Sequence, residues 1–593
     1  MNTRSRTHRA SEVNALYEAA DVFDDEESES ETESVFEVQH NESDEDGSEE
    51  EQVEAVESKS SSNESESIPS TSGKRKRGRP SYLRGKNNYK WSLNIPDRRG
   101  KRAHTAYTAT PIGPASRVTS PLEAWNVFFD EEILKIILKY TNQEITRKIV
   151  DYNRRNIQIK SRHKEVDMDE LKATVGLLYF SGLHKTNHTS VESLWSPYGM
   201  SLFRTTMAVN RFKFIILCIR FDDKSTRKER KADDPFANIR EIWDKFINNC
   251  KNNYQPDSKC TIDEQLLSFH GRCRFRMYLP AKPDKYGLKV VTLNDSTTHY
   301  LFNAIPYCGA VTDKDRNESV PSYYVRKLSE PIYNTGRNIT CDRWFTSIPI
   351  CDKLLDEYNL TMVGTINKNK PEIPASFKIV KPQDDKIRFA YNDKKILVSF
   401  NPKGKKIVLL LSSYHHSSRI DSDTGKPEIV TFFNKTKGGT DSFDKKCHDF
   451  TTARKTLRWP MRYFYGMLDQ ANVNSFIIYN LISSNKTITR NDYILDLSLS
   501  LIKPFLIRRL QLPTLQTTLR SQIEAFLDYK DLPETEDPRD LIADNKLEKY
   551  MRCGFCPSSL DRKTCYKCLK CDIPMCKEHT AKICEKCSLK LYS

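Results

Sequence analysis

No stretch of this 593-residue chain stays apolar for long. The longest apolar run, residues 214–219, falls far short of the roughly 20 residues that a membrane helix needs, so no membrane partner is expected. The chain opens MNTRSRTHRA, basic and polar with nothing apolar behind it, and no secretory leader is read there. No disulfide-like pattern joins Cys218, Cys250, Cys260, Cys273, Cys308, Cys341, Cys351 and Cys447, and no internal repeat is visible. Thiols scattered in this way fit a reducing compartment, the cytosol or the nucleus.

The first 73 residues also lack the apolar side chains that a core requires. They hold 22 Asp and Glu against four Lys and Arg, a charge of −18, and are expected to be disordered. The whole chain carries +14, so the other 520 residues carry +32, a surplus suited to a polyanionic partner such as double-stranded DNA. At the junction, KRKRGRP (74–80) supports two readings. One is a nuclear localisation signal; the other is a minor-groove hook in which Arg77 and Arg79 follow an A·T-rich groove. A nuclear protein is expected on either. Residues 74–117 stay basic and aperiodic and read as linker.

Beyond the linker, helical spacing marks 122–140, 171–183 (opened by Asp167 with Glu170 three residues on), 207–221 and 239–254. Residues 118–258 thus form a first helical part. The pattern turns to β at 259. Runs at 260–269, 287–293 and 300–306 read as a meander, followed by a strand at 338–341, a helix at 347–358 and a strand at 360–366. Residues 259–369 are therefore the first part of a mixed core. Short β signals between 370 and 430 read as an insertion. Helical spacing returns at 442–450, giving a last core helix within 431–452. It continues at 459–482, 495–509 and 515–529, a second helical part over 453–530, with Pro504 implying a break or kink. An acidic linker (531–550) and a Cys-rich module (551–593) complete an α+β, multidomain chain.

Asp263 lies inside a predicted strand and Asp342 closes another. Asp441 opens a predicted helix, with Asp444 one turn on and on the same face. A buried acid in a strand is costly unless it is paired or binds a cation. Acids converging from two strands and a helix would make a hard oxygen site for Mg²⁺ or Mn²⁺, able to activate water against a phosphodiester. An Asp at a strand end is also an ordinary turn or helix cap, and the spacings alone encode no motif.

These segments resemble the piggyBac transposase family. The likeness rests on TIDEQLLSF (261–269), FRMY (275–278), KPDKYG (282–287), NITCDRWFTSIP (338–349), VGTI (363–366), NKTKGGTD (434–441) with Asp444, and RWP (458–460). It covers roughly 118–530 and the Cys-rich module. The resemblance implies a ribonuclease-H-like catalytic core flanked by a helical DNA-binding and dimerisation domain. It assigns three metal-binding aspartates to Asp263, Asp342 and Asp441 and a fourth catalytic aspartate to Asp444. The implied activity is cut-and-paste DNA transposition at TTAA through strand cleavage, hairpin formation and strand transfer. A dimer or larger assembly is implied because two ends must be synapsed. The family's tryptophan near TTAA falls on Trp459, which could equally pack at a helix start. Arg272, Arg276, Lys282 and Lys285, beside the first aspartate, are candidate phosphate contacts. Thr440 departs from the apolar residue common before the third aspartate. The alternative is a domesticated, transposase-derived DNA-binding protein that no longer cuts.

The last 41 residues hold eight cysteines. Cys553/Cys556, Cys568/Cys571, Cys576/His579 and Cys584/Cys587 are four pairs with a two-residue gap, enough for two tetrahedral Zn²⁺ sites. Their order suggests a cross-brace, with Cys553, Cys556, Cys576 and His579 on one ion and Cys568, Cys571, Cys584 and Cys587 on the other. Sequential pairing is the alternative, and Cys565 is an additional thiol. The module is basic, which favours DNA over the ubiquitin-ligase and histone-reader modules that share a cross-brace. In the family it grips subterminal transposon DNA.

Overall fold

A computed structural model describes residues 82–96, 106–280, 282–309, 314–379, 386–402, 406–482, 488–527, 546–567 and 573–579. The acidic segment 1–73, Arg77 and Arg79, and most of the linker before the Cys-rich module lie outside these residues. Among the described residues no helix is long and apolar enough to cross a membrane.

Strands β1 (Tyr82–Arg84) and β2 (Lys90–Ser92) form a hairpin, and β3 (Thr110–Pro111) pairs with β4 (Tyr254–Gln255). The centre of the molecule is the sheet built on β5 (Lys259–Ser268), β7 (Tyr286–Asp295), β8 (Leu301–Pro306), β9 (Asn338–Cys341) and β10 (Thr361–Thr365). β5, β7 and β8 are an antiparallel meander, whereas β9 runs parallel to β5 and β10 parallel to β9. Helices Val320–Ser329 and Ile348–Asp356 make the crossovers, and helix Gly439–Asp449 packs on β5 and β7. The order β8-β7-β5-β9-β10, three antiparallel strands then two parallel ones, is the ribonuclease-H-like arrangement. Strand β6 (Arg276–Tyr278) pairs with β7 next to β8. The crossover helix Val320–Ser329 was not read from the sequence; its signals are Ser319, whose hydroxyl accepts from Ser322 N–H, and a proline in the first turn.

The segment read as an insertion extends this sheet. β11 (Ile387–Asn392), β12 (Lys395–Phe400) and β13 (Val408–Ser412) join it through β13 against β10, and their core is closed by Ile429 and Val430 of helix Glu428–Thr436. β2 then pairs with β11, so part of the expected linker forms the far edge of the sheet. Trp91 secures it: the side chain is fully buried and its Nε1–H donates to Glu372 O at 2.9 Å. A single tryptophan among basic residues has no periodicity to reveal it as core.

The two helical parts, separated by the whole sheet in sequence, form one body. Helix Trp459–Ile482 is buried along most of its length. The Trp125 Nε1–H donates to Tyr179 Oη at 2.7 Å, and the Tyr179 hydroxyl donates to Leu468 O at 2.8 Å. A Cβ at Gly176 would lie 2.7 Å from Ile502, so helices Met168–Leu183 and Arg490–Leu510 meet at close range. The helical run expected at 122–140 is two helices, Pro121–Asn126 and Glu131–Arg154. Asp130 starts the second by accepting from Ile133 N–H at 2.9 Å. Helix Arg490–Leu510 continues through Pro504, held by its buried face of Leu501, Ile502 and Leu506. Trp91→Ala is expected to destabilise the protein by about 3–5 kcal/mol through the cavity it leaves, measured by chemical denaturation.

Candidate active site and metal centre

The β5–β9 ladder ends at Ile262 opposite Cys341, so the next residues, Asp263 and Asp342, are neighbours on adjacent parallel strands. Both are half-buried. They share the face covered by helix Gly439–Asp449. On that face Thr261 Oγ1–H donates to Thr436 O, and the Thr340 and Thr436 hydroxyls lie 2.8 Å apart. A Cβ at Gly439 would fall 2.7 Å from Thr261 Oγ1, so only glycine lets the helix start so near β5. That approach brings Asp444 against Gln265 of β5 and Asp441 near enough for its charge to act on Asp263. Thr440, the departure from the family pattern, is fully buried and donates to Asn294 Oδ1 at 3.0 Å, so its hydroxyl is satisfied.

The four acids differ in setting. Burial first, then Glu264, Asp342 and Asp441, push the Asp263 carboxyl well above its ordinary range. Burial, then Glu264, raise Asp342 to about 6, opposed by N–H donation from Trp344 and Phe345. Its Oδ1 accepts those two at 2.9 and 3.3 Å, so Asp342 also closes the turn after β9. Asp441 is mostly exposed, with Lys282 Nζ 3.6 Å from its Oδ1. Asp444 is raised by burial and accepts from Gln265 Nε2–H at 2.8 Å. Burial lowers the Lys282 ammonium, but Asp263, Asp441 and Glu264 together hold it above its usual value. The carboxylates of Asp263, Asp342 and Asp441 are not all drawn together as a single shared ion would draw them. The donor set nevertheless fits a hard divalent cation: oxygen ligands only, with mutual repulsion that such a cation relieves.

Sequence reasoning passed over Glu264, Gln265 and Lys289. Lys289 Nζ is 3.8 Å from Glu264 Oε2 and 4.0 Å from the centre of the Trp344 ring, and its charge lowers the Asp342 carboxyl. The available signal was polar residues placed within strands that are otherwise buried.

The other candidates lie around this cluster. Arg272, Arg276 and Lys285 are exposed, and Arg276 lies 5.2 Å from the centre of the Tyr286 ring. Trp459 is half-buried, packed against Phe275, Phe236 and Tyr463 at ring separations of 5.1, 5.6 and 6.0 Å.

In the Cys-rich module, β14 (Lys546–Arg552) and β15 (Lys563–Tyr566) pair, and the ligand atoms of Cys553, Cys556, Cys576 and His579 all lie within 4.8 Å of one another. The sulfurs of Cys556 and Cys576 are 3.7 Å apart, and His579 Nδ1 lies 3.3–3.6 Å from the three sulfurs. Tetrahedral Zn²⁺ requires about 3.8 Å between sulfurs and about 3.6 Å from sulfur to nitrogen, so these residues fit it. Cys565 is on β15 outside the cluster. Cys568, Cys571, Cys584 and Cys587 lie outside the described residues.

The family model described as Transposase IS4 matches residues 120–476, more than half of the chain, and the chain belongs to that family. Within it, the chain is of the piggyBac type. It is 39% identical to the solved piggyBac transposase in a cryo-EM synaptic complex with hairpin DNA, with a TM-score of 0.69 over 81% of this chain and 100% of that one. Two human proteins are also similar. PiggyBac transposable element-derived protein 3 is 21% identical over 59% of this chain and 60% of its own length. PiggyBac transposable element-derived protein 2 is 20% identical over 62% of each. The chain thus spans about three fifths of these curated relatives.

Two outcomes follow from the site. An aspartate whose folded-state carboxyl is raised to about 6 favours the folded state when protonated. That stability is complete below about pH 4 and is lost as pH rises through about 6. Asp342→Asn, which cannot ionise, should therefore unfold a few degrees higher than wild type near pH 7.5 without divalent metal, and at the same temperature near pH 4; thermal scans read the difference. Chelation of Zn²⁺, or Cys576→Ser, should unfold the 546–579 segment while leaving the sheet intact, seen as protease sensitivity confined to the C-terminal end.

Proposed function

We propose that this protein is a metal-dependent DNA transposase that excises and integrates a piggyBac-like element at TTAA. The carrying observation is the placement of Asp263 beside Asp342 at the end of a parallel ladder, with Asp441 on the helix that Gly439 brings against β5. Asp263, Asp342 and Asp441 would hold Mg²⁺ or Mn²⁺, which when bound supplies an activated water and stabilises the leaving 3′ oxygen. Lys282 reaches the cluster from the loop between β6 and β7, where an ammonium would neutralise a scissile phosphate. Arg272, Arg276 and Lys285 on and beside the same hairpin would track the flanking backbone, and the exposed part of the Trp459 ring would meet an unpaired base.

The reaction would run through cleavage at the element end, hairpin formation, hairpin opening and joining to TTAA. Similarity to a transposase held in a synaptic complex with hairpin DNA supports this sequence of steps and an assembly of at least two copies. The Cys553, Cys556, Cys576 and His579 cluster would hold structural Zn²⁺, with Cys568, Cys571, Cys584 and Cys587 holding a second ion. The module would grip DNA near the element ends, and the protein would act in the nucleus. A domesticated DNA-binding protein is the competing reading, because the human relatives are transposable element-derived; the four retained aspartates favour the enzyme.

A donor plasmid carrying the element's terminal repeats separates the two. Wild type should excise and restore an intact TTAA, and Asp342→Asn should lose more than the roughly 10–100-fold that an outer-shell substitution costs. Excision unchanged by that substitution would refute the assignment, and DNA binding without any excision would select the domesticated reading.

A further inference from the structure

We propose that Gln265 and Gln470 form a buried amide relay that orients Asp444, making both of them positioning residues for the carboxylate cluster; this rests on the reading of that cluster as a divalent-metal site. Gln265 lies two residues beyond Asp263 on β5, on the same face of the strand. Its Nε2–H donates to Asp444 Oδ1 at 2.8 Å, and its Oε1 accepts from Gln470 Nε2–H, also at 2.8 Å. Both glutamines are closed to solvent, 1% and 0% exposed.

The relay has a direction. An ionised carboxylate only accepts, so Gln265 must turn its NH₂ towards Asp444 and its oxygen towards Gln470. Gln470 must then present its own NH₂. The consequence is visible: Gln470 Oε1 is buried with no hydrogen-bond partner. An apolar side chain at 470 would avoid that orphaned oxygen, so what Gln470 contributes here is its donor. On its outer side Asp444 meets His448 Nδ1 at 3.5 Å, so the relay supplies the inner, solvent-free constraint. Gln470 belongs to helix Trp459–Ile482 and Asp444 to helix Gly439–Asp449. The relay therefore ties an acid of the core to the helix that Trp459 opens.

Mn²⁺ binding to the full-length, zinc-loaded protein without DNA, followed by electron paramagnetic resonance, tests this. Asp263→Asn should remove the tight binding. Asp444→Asn, which removes a carboxylate from the ion's outer shell, and Gln470→Leu, which releases that carboxylate, should each weaken it roughly 10-fold. In an Asp444→Asn background, Gln470→Leu should change nothing further. Gln470→Met, unbranched, repeats the measurement if the leucine variant folds poorly. Wild-type Mn²⁺ affinity in the Gln470 variants, or effects that add to Asp444→Asn, would overturn the relay while leaving the metal site standing. Mn²⁺ binding indifferent to Asp263→Asn would instead overturn the metal-site reading, and the relay with it.

Discussion

The parallel pairing of β5 with β9 is the constraint on which the candidate site depends. With Lys259 opposite Asn338 and Ile262 opposite Cys341, two acids must lie side by side at the end of the ladder. A slip of one residue would send one of them to the opposite face. The arrangement is costly: burial, and after it the charge of Glu264, push the carboxyls of both Asp263 and Asp342 upward. It persists because the register is locked behind the acids: Thr261 and Thr340 bond to Thr436, and Gly439 allows the next helix to seat directly on β5. Burial and hydrogen bonding in the layer below hold a cluster that its own charge would disperse.

The same economy of contact organises the rest of the molecule. Helix Trp459–Ile482 is enclosed by the sheet on one side and by helices from before the core on the other, so the two helical parts cannot be separated without opening the centre. Tyr179 bridges them through Trp125 and Leu468, and the buried Arg211–Glu170 pair, 2.6 Å at its shortest, ties helix Val209–Cys218 to helix Met168–Leu183. The basic β6–β7 hairpin forms one edge of the sheet, with Lys282 in its loop reaching the acids. Lys282 Nζ lies 3.6 Å from Asp441 Oδ1 and donates to Glu264 O at 3.4 Å, so a cation stands at the edge of the carboxylate cluster.

Much of this was legible along the chain because it is local. Strand periodicity placed β5, β7, β8, β9 and β10, helical spacing placed the long helix after Trp459, and the pairs Cys553/Cys556 and Cys576/His579 marked the Cys/His cluster. What escaped was short or non-periodic. Trp91 and its hairpin carry no repeat, the crossover helix Val320–Ser329 is marked mainly by its cap, and Asp130 divides what looked like one helix. Gln265 carries no local signal of its role, since its partners Asp444 and Gln470 are 179 and 205 residues away.

The sequence by itself determined the fold class, the charge that calls for a polyanion, and the residue types able to hold hard and soft metals. These follow from composition, period and ligand spacing, which are properties of neighbours in the chain. Only the tertiary structure decided that β11–β13 extend the core sheet, that Cys553 and Cys556 meet Cys576 and His579, and that Asp444 is held from the helical body by two buried amides. Those are contacts between segments distant in sequence. Their geometry is set by strand register and close packing, which no local pattern of residues encodes.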